Sequence, residues 1–138
     1  MLLPVGIVAA ISIPAFQDYT IRAQVAEGLN LAAITKAEVA ERYAKSETWR
    51  TRGSQAQQNS AYVESIEVAN GSVLIRYGNR AHALIGGKAL AIAPGTDSAG
   101  NVIWACGEAA HAPGVQPGPG VTGSEVDGKY LPQACRAQ

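Results

Sequence analysis

Cys106 and Cys135 are the most chemically capable side chains in this sequence, and what they do depends on whether they meet. The chain has two cysteines and two histidines, His82 and His111. A zinc site takes about four nitrogen or sulfur ligands, and these four residues lie too far apart in sequence to form a ligand spacing. A cysteine pair enclosing a Gly/Pro-rich stretch reads instead as a disulfide, formed in an oxidising compartment outside the cytoplasm. The other reading is two free buried thiols. A bridge would close a loop of about 30 residues, worth roughly 3.6 kcal/mol in the chain-entropy treatment.

No other group of residues builds a reactive centre. Asp97, Asn101 and Asp127 carry oxygens that calcium would accept, without the dense ligand spacing of a calcium loop. Gly86-Gly87-Lys88 has only the second half of a phosphate-binding loop and reads as a turn. The sequence offers neither a Ser-His-Asp arrangement nor paired carboxylates. The expectation is therefore no enzyme, no cofactor and no metal. His82 and His111 read as surface or edge residues, Trp49 and Trp104 as core or interface anchors. Eleven basic residues balance eleven acidic ones, so there is no basic excess to argue for nucleic acid.

The chain must therefore act through its elements. Its 138 residues make one domain plus an appendage. Charged residues are 16%, below the usual quarter, which points to surface covered by something other than water. The stretch Leu2–Phe16 passes without a charge and needs a second environment, either a membrane or copies of itself. It is short for a membrane span, which takes about 20 apolar residues. It is also a poor signal peptide, with no Lys or Arg before it and no clear cleavage site; a disordered or cleaved leader is the remaining reading. Pro4, Gly6 and Pro14 interrupt it, and Pro14 is expected to kink the helix where rod meets head. Gly6, Ala9, Ala10 and Ser12 are small enough to admit a close neighbouring helix.

From Ile21 the apolar period is helical: Ile21, Val25, Leu29, Ala32, Lys36, Val39 and Tyr43 share a face, with Glu27, Asn30, Glu38, Glu41 and Arg42 opposite. A polar connection follows over 47–60. Tyr62, Glu64, Ile66 and Val68 are expected on one side of a strand, Asn70-Gly71 in a tight turn, and Val73, Ile75 and Tyr77 on the return strand. A second strand pair spans 89–93 and 101–106, joined by a turn over Pro94–Gly100. One helix over about four antiparallel strands is an α+β layer pair. The tail, 107–138, is expected to bury too little to order itself, so that the disulfide holds it on the sheet.

Several of these segments resemble the type IV pilins. Gly6-Ile-Val-Ala-Ala-Ile-Ser-Ile-Pro-Ala-Phe-Gln-Asp-Tyr-Thr-Ile-Arg-Ala-Gln24 looks like the distal half of that family's N-terminal helix. Tyr62–Gly71 resembles its first hairpin, and Val102–Cys106 and Tyr130–Arg136 resemble the two segments that bound its disulfide loop. The resemblance implies the pilin ladle fold, a long N-terminal helix packed on a four-stranded antiparallel sheet with a disulfide-bounded C-terminal loop. It implies a structural subunit of a bacterial type IV pilus, in the manner of a type IVa major pilin, anchored in the inner membrane before extraction into a filament of identical subunits. The implied partners are copies of the chain, inner-membrane lipid and the pilus assembly machinery. Adhesion, twitching motility and DNA uptake are activities such filaments support. A minor pilin, a type II secretion pseudopilin, or a divergent pilin-like protein that does not assemble would share the architecture.

The resemblance divides the chain into an assembly or membrane part, 1–20, and a head, 21–138. The head comprises helix 21–46, connection 47–60, sheet 61–106 and disulfide loop 106–135. Val5, Gly6, Ile7, Val8, Ala9, Ala10, Ile11, Ile13, Pro14 and Phe16 would form the filament or membrane helix, and Ile21, Val25, Leu29, Ala32, Val39 and Tyr43 the head-packing face. The family's processing motif, a basic leader ending in Gly and then Phe-Thr-Leu-Ile-Glu, has no counterpart here, and no Glu precedes Glu27. A truncated or re-engineered chain, a start placed too late, or a divergent anchor each account for this, and the motif is expected upstream of Met1. If the cysteines pair, mass spectrometry of the unreduced protein reads a mass lighter than the reduced form by a pair of hydrogens; two free thiols would refute the bridge.

Overall fold

One α-helix, α1 (Leu3–Ser46), runs 44 residues, roughly 66 Å at 1.5 Å per residue. The computed structural model describes residues 3–49, 52–56 and 60–137, with backbone alone for 3–15 and 54–56. Ala, Glu and Lys concentrated over 32–45 favour helix. The helix ends where Glu47 turns left-handed (φ 53°) and its N–H donates to Tyr43 O at 2.7 Å, while Ser46 Oγ donates to Arg42 O. At Pro14, where a kink is expected, helix continues on both sides. Losing one backbone hydrogen bond does not end a helix whose flanking turns remain intact.

The sheet is antiparallel throughout, with strands β1 (Arg52–Ala56), β2 (Val63–Ala69), β3 (Ser72–Tyr77), β4 (Ala89–Thr96) and β5 (Val102–Cys106) in sequential order. A short β6 (Gln116–Pro117) pairs with β4. Five strands and a fragment replace the four expected. The additional strand, β1, lies inside what reads as the 47–60 connection. Its sequence, Arg-Gly-Ser-Gln-Ala, carries no alternating apolar pattern, because an edge strand is held by its backbone pairing with β2.

The β2–β3 hairpin turns on Asn70 (φ 50°) and Gly71 (φ 86°), the left-handed pair that matches strand twist. A Cβ on Gly71 would also press into the Trp49 ring at 2.9 Å. Val73, Ile75 and Tyr77 are buried on β3. On β2 the expected grouping fails upstream: Val63, Ile66 and Val68 are buried, while Glu64 is exposed. A register shift between Val63 and Ser65 is the cause, since a bulge inserts one residue and reverses the phase before it. The expected turn at Pro94 is also shifted. β4 runs on through Pro94-Gly95-Thr96, and the turn begins at Asp97.

α1 lies on this sheet through Ile21, Val25, Ala32 and Val39, all buried against Val63, Ile66, Ile75, Tyr77 and Leu90. Leu29 is half-buried against the same core, and Tyr43 is half-buried and stacks on Trp49 with centroids 3.9 Å apart. The closest approach is at Gly28, where a Cβ would meet the Tyr77 hydroxyl at 2.5 Å. That hydroxyl donates to Val25 O at 2.8 Å. Gln24 and Thr35 are the polar residues on this buried face.

The tail orders itself more than its composition implies. Val126, Tyr130 and Leu131 are buried in the common core. The tail also completes β4 at both ends: β6 pairs at Gly95 and Thr96, where β3 has ended, and Ser124 pairs with Leu90, where β5 has ended. The expectation counted apolar residues and missed backbone pairing. Val25→Asp buries a carboxylate among aliphatic side chains and is expected to lower stability by about 3 kcal/mol. Leu29→Asp, at a half-buried position, should cost less. Urea unfolding of both variants measures this, and equal midpoints to wild type would misplace the helix face.

Candidate assembly surface

From Phe16 to Ala37 the helix presents an uncharged face on the side away from the sheet, which Glu41 ends. Phe16, Tyr19, Ala23, Ile34 and Ala37 fall within a sector of about 60° at 100° per residue, and Phe16, Tyr19 and Ile34 are 72%, 72% and 71% exposed. Sequence reasoning placed only charged and polar residues opposite the core and missed this stripe, although the same angular arithmetic contains it. The rod positions Val5, Gly6, Ile7, Val8, Ala9, Ala10, Ile11, Ile13 and Pro14 lie on α1, with side chains outside the described residues. Among the described residues, no helix is long and apolar enough to cross a membrane.

Glu27, read as facing solvent, is half-buried, and its Oε2 is enclosed without a hydrogen-bond partner among the described residues. Burial, helped by the nearby Glu27 carboxylate, pushes the Tyr77 phenol far above its ordinary value. Tyr77 thus sits as a neutral donor beneath the helix.

Three side chains fasten the rest of the head to α1. Gln24 Oε1 accepts from the His82 N–H at 2.8 Å, Gln17 Nε2 lies 2.8 Å from His82 Nε2, and Leu84 N–H donates to His82 Nδ1. His82 is thereby the pin of the loop between β3 and β4. On the other flank Arg22 Nε donates to Lys129 O at 2.8 Å, joining α1 to the tail. Lys36 lies 5.7 Å from the centre of the half-buried Trp104 ring.

Cys106 and Cys135 are bonded, with Cα atoms 4.6 Å apart, joining the end of β5 to the end of the tail. Beside the bridge, Leu29, Trp104, His111 and Pro132 line an open groove of 850 Å³. His111 lies there with both ring nitrogens enclosed and unpartnered among the described residues. Asp97 and Asn101 meet in one turn, and Asp127 caps another. Asp97 Oδ1 accepts from the N–H groups of Ala99 and Asn101 in its own turn, and those bonds, the Asn101 one foremost, hold its carboxyl below the usual range. Asp127 accepts from Lys129 N–H. Among the described residues, no cluster of three or more His, Cys, Asp or Glu could hold a metal ion.

A long helix with an uncharged outer face, a sheet beneath it and a disulfide-closed tail make a known combination. The pilins (bacterial filament) match residues 21–136. The chain belongs to the pilin family. It is 35% identical over 146 residues to the fimbrial protein of Neisseria meningitidis serogroup A, covering 96% of this chain and 85% of that one. It is 35% identical over 141 residues to the type IV major pilin protein PilE1 of Neisseria gonorrhoeae, with coverage of 96% and 85%. Fimbrial protein EcpC of Eikenella corrodens is 34% identical over 141 residues, with coverage of 96% and 81%. Pilin membership implies assembly into filaments of identical subunits.

The buried phenol gives this pilin an alkaline limit. The folded chain keeps Tyr77 protonated where the unfolded chain ionises. Its contribution is therefore complete below about pH 10 and is lost as pH rises from there toward the folded value. Unfolding free energies from urea titrations between about pH 9 and pH 11 should fall by up to about 1.4 kcal/mol per pH unit above the ordinary tyrosine range. Tyr77→Phe should remove that component; an unchanged slope would contradict it.

Proposed function

We propose that this pilin is the structural, major subunit of a bacterial type IV pilus. The observation carrying this reading is that relatives named type IV major pilin or fimbrial protein align with 96% of the chain, while α1 bears an uncharged rod and, as far as Ala37, an uncharged outer face. An exposed apolar surface of this length is an assembly surface, and one face meeting a different face of the next copy, without closure, generates a filament. Cys106–Cys135 braces the head that the filament displays, and Ile21, Val25, Leu29, Ala32, Val39 and Tyr43 carry that head on the helix.

The rod serves two environments in turn. Before assembly, Val5–Phe16 sits in inner-membrane lipid; after extraction by the assembly machinery, it packs against the rods of other copies in the filament centre. Gly6, Ala9 and Ala10 permit close helix approach in the second state. The finished pilus stands on the cell surface and supports adhesion and twitching motility. The balanced charge, eleven against eleven, gives no electrostatic support to DNA binding by the subunit.

Electron microscopy of a deletion strain complemented with variants tests this. Loss of the gene should remove surface filaments. Ala9→Arg and Ile34→Arg should abolish or sharply reduce them while leaving the unfolding midpoint of the head within about 0.5 kcal/mol of wild type. Filaments of normal abundance in the deletion strain would refute the major-subunit reading, and normal filaments from Ala9→Arg would refute a buried rod.

A further inference from the structure

We infer that the rod-proximal end of the head is a binding surface for the phosphate headgroups of an anionic bilayer, built from Arg22, Lys129 and Arg136 above the exposed rings of Phe16 and Tyr19. This rests on the reading that the subunit waits in a membrane before assembly. The starting point is a convergence of like charges. Arg22 Nε donates to Lys129 O at 2.8 Å, and Arg136 Nη2 lies 3.5 Å from that same oxygen while its Nε donates to Leu131 O. Two guanidinium groups are thus held side by side by one backbone carbonyl, with the Lys129 ammonium on the same turn, 5.1 Å from the centre of the Tyr130 ring.

Carboxylates stand near this cluster without forming an ion pair with it. Asp18 and Asp127 are the acids that act on Lys129, and Asp127 Oδ1 is already engaged by the Lys129 N–H. Among the described residues, Lys45 pairs with Glu41 at 3.0 Å, whereas none of Arg22, Lys129 and Arg136 lies within ion-pair distance of a carboxylate. Guanidinium and ammonium groups so placed match phosphate oxygens, which accept the remaining N–H donors.

Position along the helix selects lipid as the source of that phosphate. The uncharged stretch ends at Phe16, and Arg22 begins about 9 Å further along the axis. Side chains on a helix lean toward its N-terminus, so Arg22 leans back toward the rod, into the layer about 5–8 Å deep that headgroups occupy. Phe16 and Tyr19, both 72% exposed, lie between, at the level where aromatic rings favour a membrane interface. Leu84, 46% exposed, is brought to the same level by the His82 contact with Gln17. Apolar, then aromatic, then basic is the order of a bilayer's depth, with Asp18 the one carboxylate between Phe16 and Arg22 on the helix.

The full chain, added from detergent to vesicles of phosphatidylcholine alone or with phosphatidylglycerol, tests this by flotation. Phosphatidylglycerol should raise the partitioning of wild type, and high salt should erase the increment. Arg22→Gln and Lys129→Gln should each reduce that increment about fivefold and leave partitioning onto phosphatidylcholine unchanged. Arg22→Lys should retain the increment, and Lys45→Gln, at the far end of α1, should behave as wild type. Equal partitioning onto both vesicles, or variants that keep the whole increment, would overturn the inference while leaving the membrane reading intact. Variants with an intact increment but lost filaments would overturn it in favour of a subunit contact. Failure of wild type to enter either vesicle would overturn the membrane reading as well.

Discussion

The hydrogen bond from the Tyr77 hydroxyl to the carbonyl of Val25, made in the space that Gly28 leaves open, sets the distance between helix and sheet. Val25 O belongs to the helix's own backbone, so Tyr77 reads the position of α1 as well as its presence. The bond also fixes rotation. With Gly28 over the ring and Ile21, Val25, Ala32 and Val39 directed into the core, the opposite sector presents Phe16, Tyr19, Ala23 and Ile34 outward. A helix rotated by a third of a turn would bury part of that stripe and expose the core. The surface available for assembly is thus decided inside the head.

The two ends of the sheet are closed by different means. Near the C-terminus of α1, Trp49 stacks on Tyr43 and covers Gly71 and Gly118, so one indole joins the helix end, the first hairpin and the stretch following β6. At the other side, the disulfide ties Cys135 to β5, while Glu108 N–H donates to Cys135 O at 2.9 Å beside it. The bridge acts on the unfolded chain by limiting its freedom; the buried Val126, Tyr130 and Leu131 act on the folded one. These contributions are separable, and a reduced head retains the second.

Legibility in the sequence followed the kind of force at work. Wherever side-chain burial decides the structure, periodicity reveals it: the α1 face, the Asn70-Gly71 turn and the buried run of β3 are all patterns of apolar residues or of φ requirement. Where backbone pairing decides, the sequence is silent. β1 has no hydrophobic alternation, β6 is two residues long, and the pairing of Ser124 with Leu90 needs no particular side chain. The bulge at Val63–Ser65 shows the same limit from another direction, since a single inserted residue inverts a face while leaving composition untouched. Contacts such as Arg22 to Lys129 O depend on which residues the fold brings together, 107 positions apart, and no local spacing announces them.

On the proposed function, a chain that leaves lipid and enters a filament faces a constraint that a permanently buried helix does not. Its apolar surface has to be satisfied in both places, so it cannot be completed by polar partners that exist in only one. The uncharged Leu2–Phe16 stretch meets that demand, because dispersion contacts with acyl chains and with other rods are chemically alike. Charges must then begin where the two environments diverge, at Asp18 and Arg22, and they must be held by groups that travel with the subunit. Arg22 is held in this way: its partner is a backbone carbonyl of the same head, and on the inference drawn above its remaining donors exchange lipid phosphate for whatever the filament presents. Holding a cation by its own fold, and not by a fixed carboxylate, allows one surface to change partners without first breaking an ion pair.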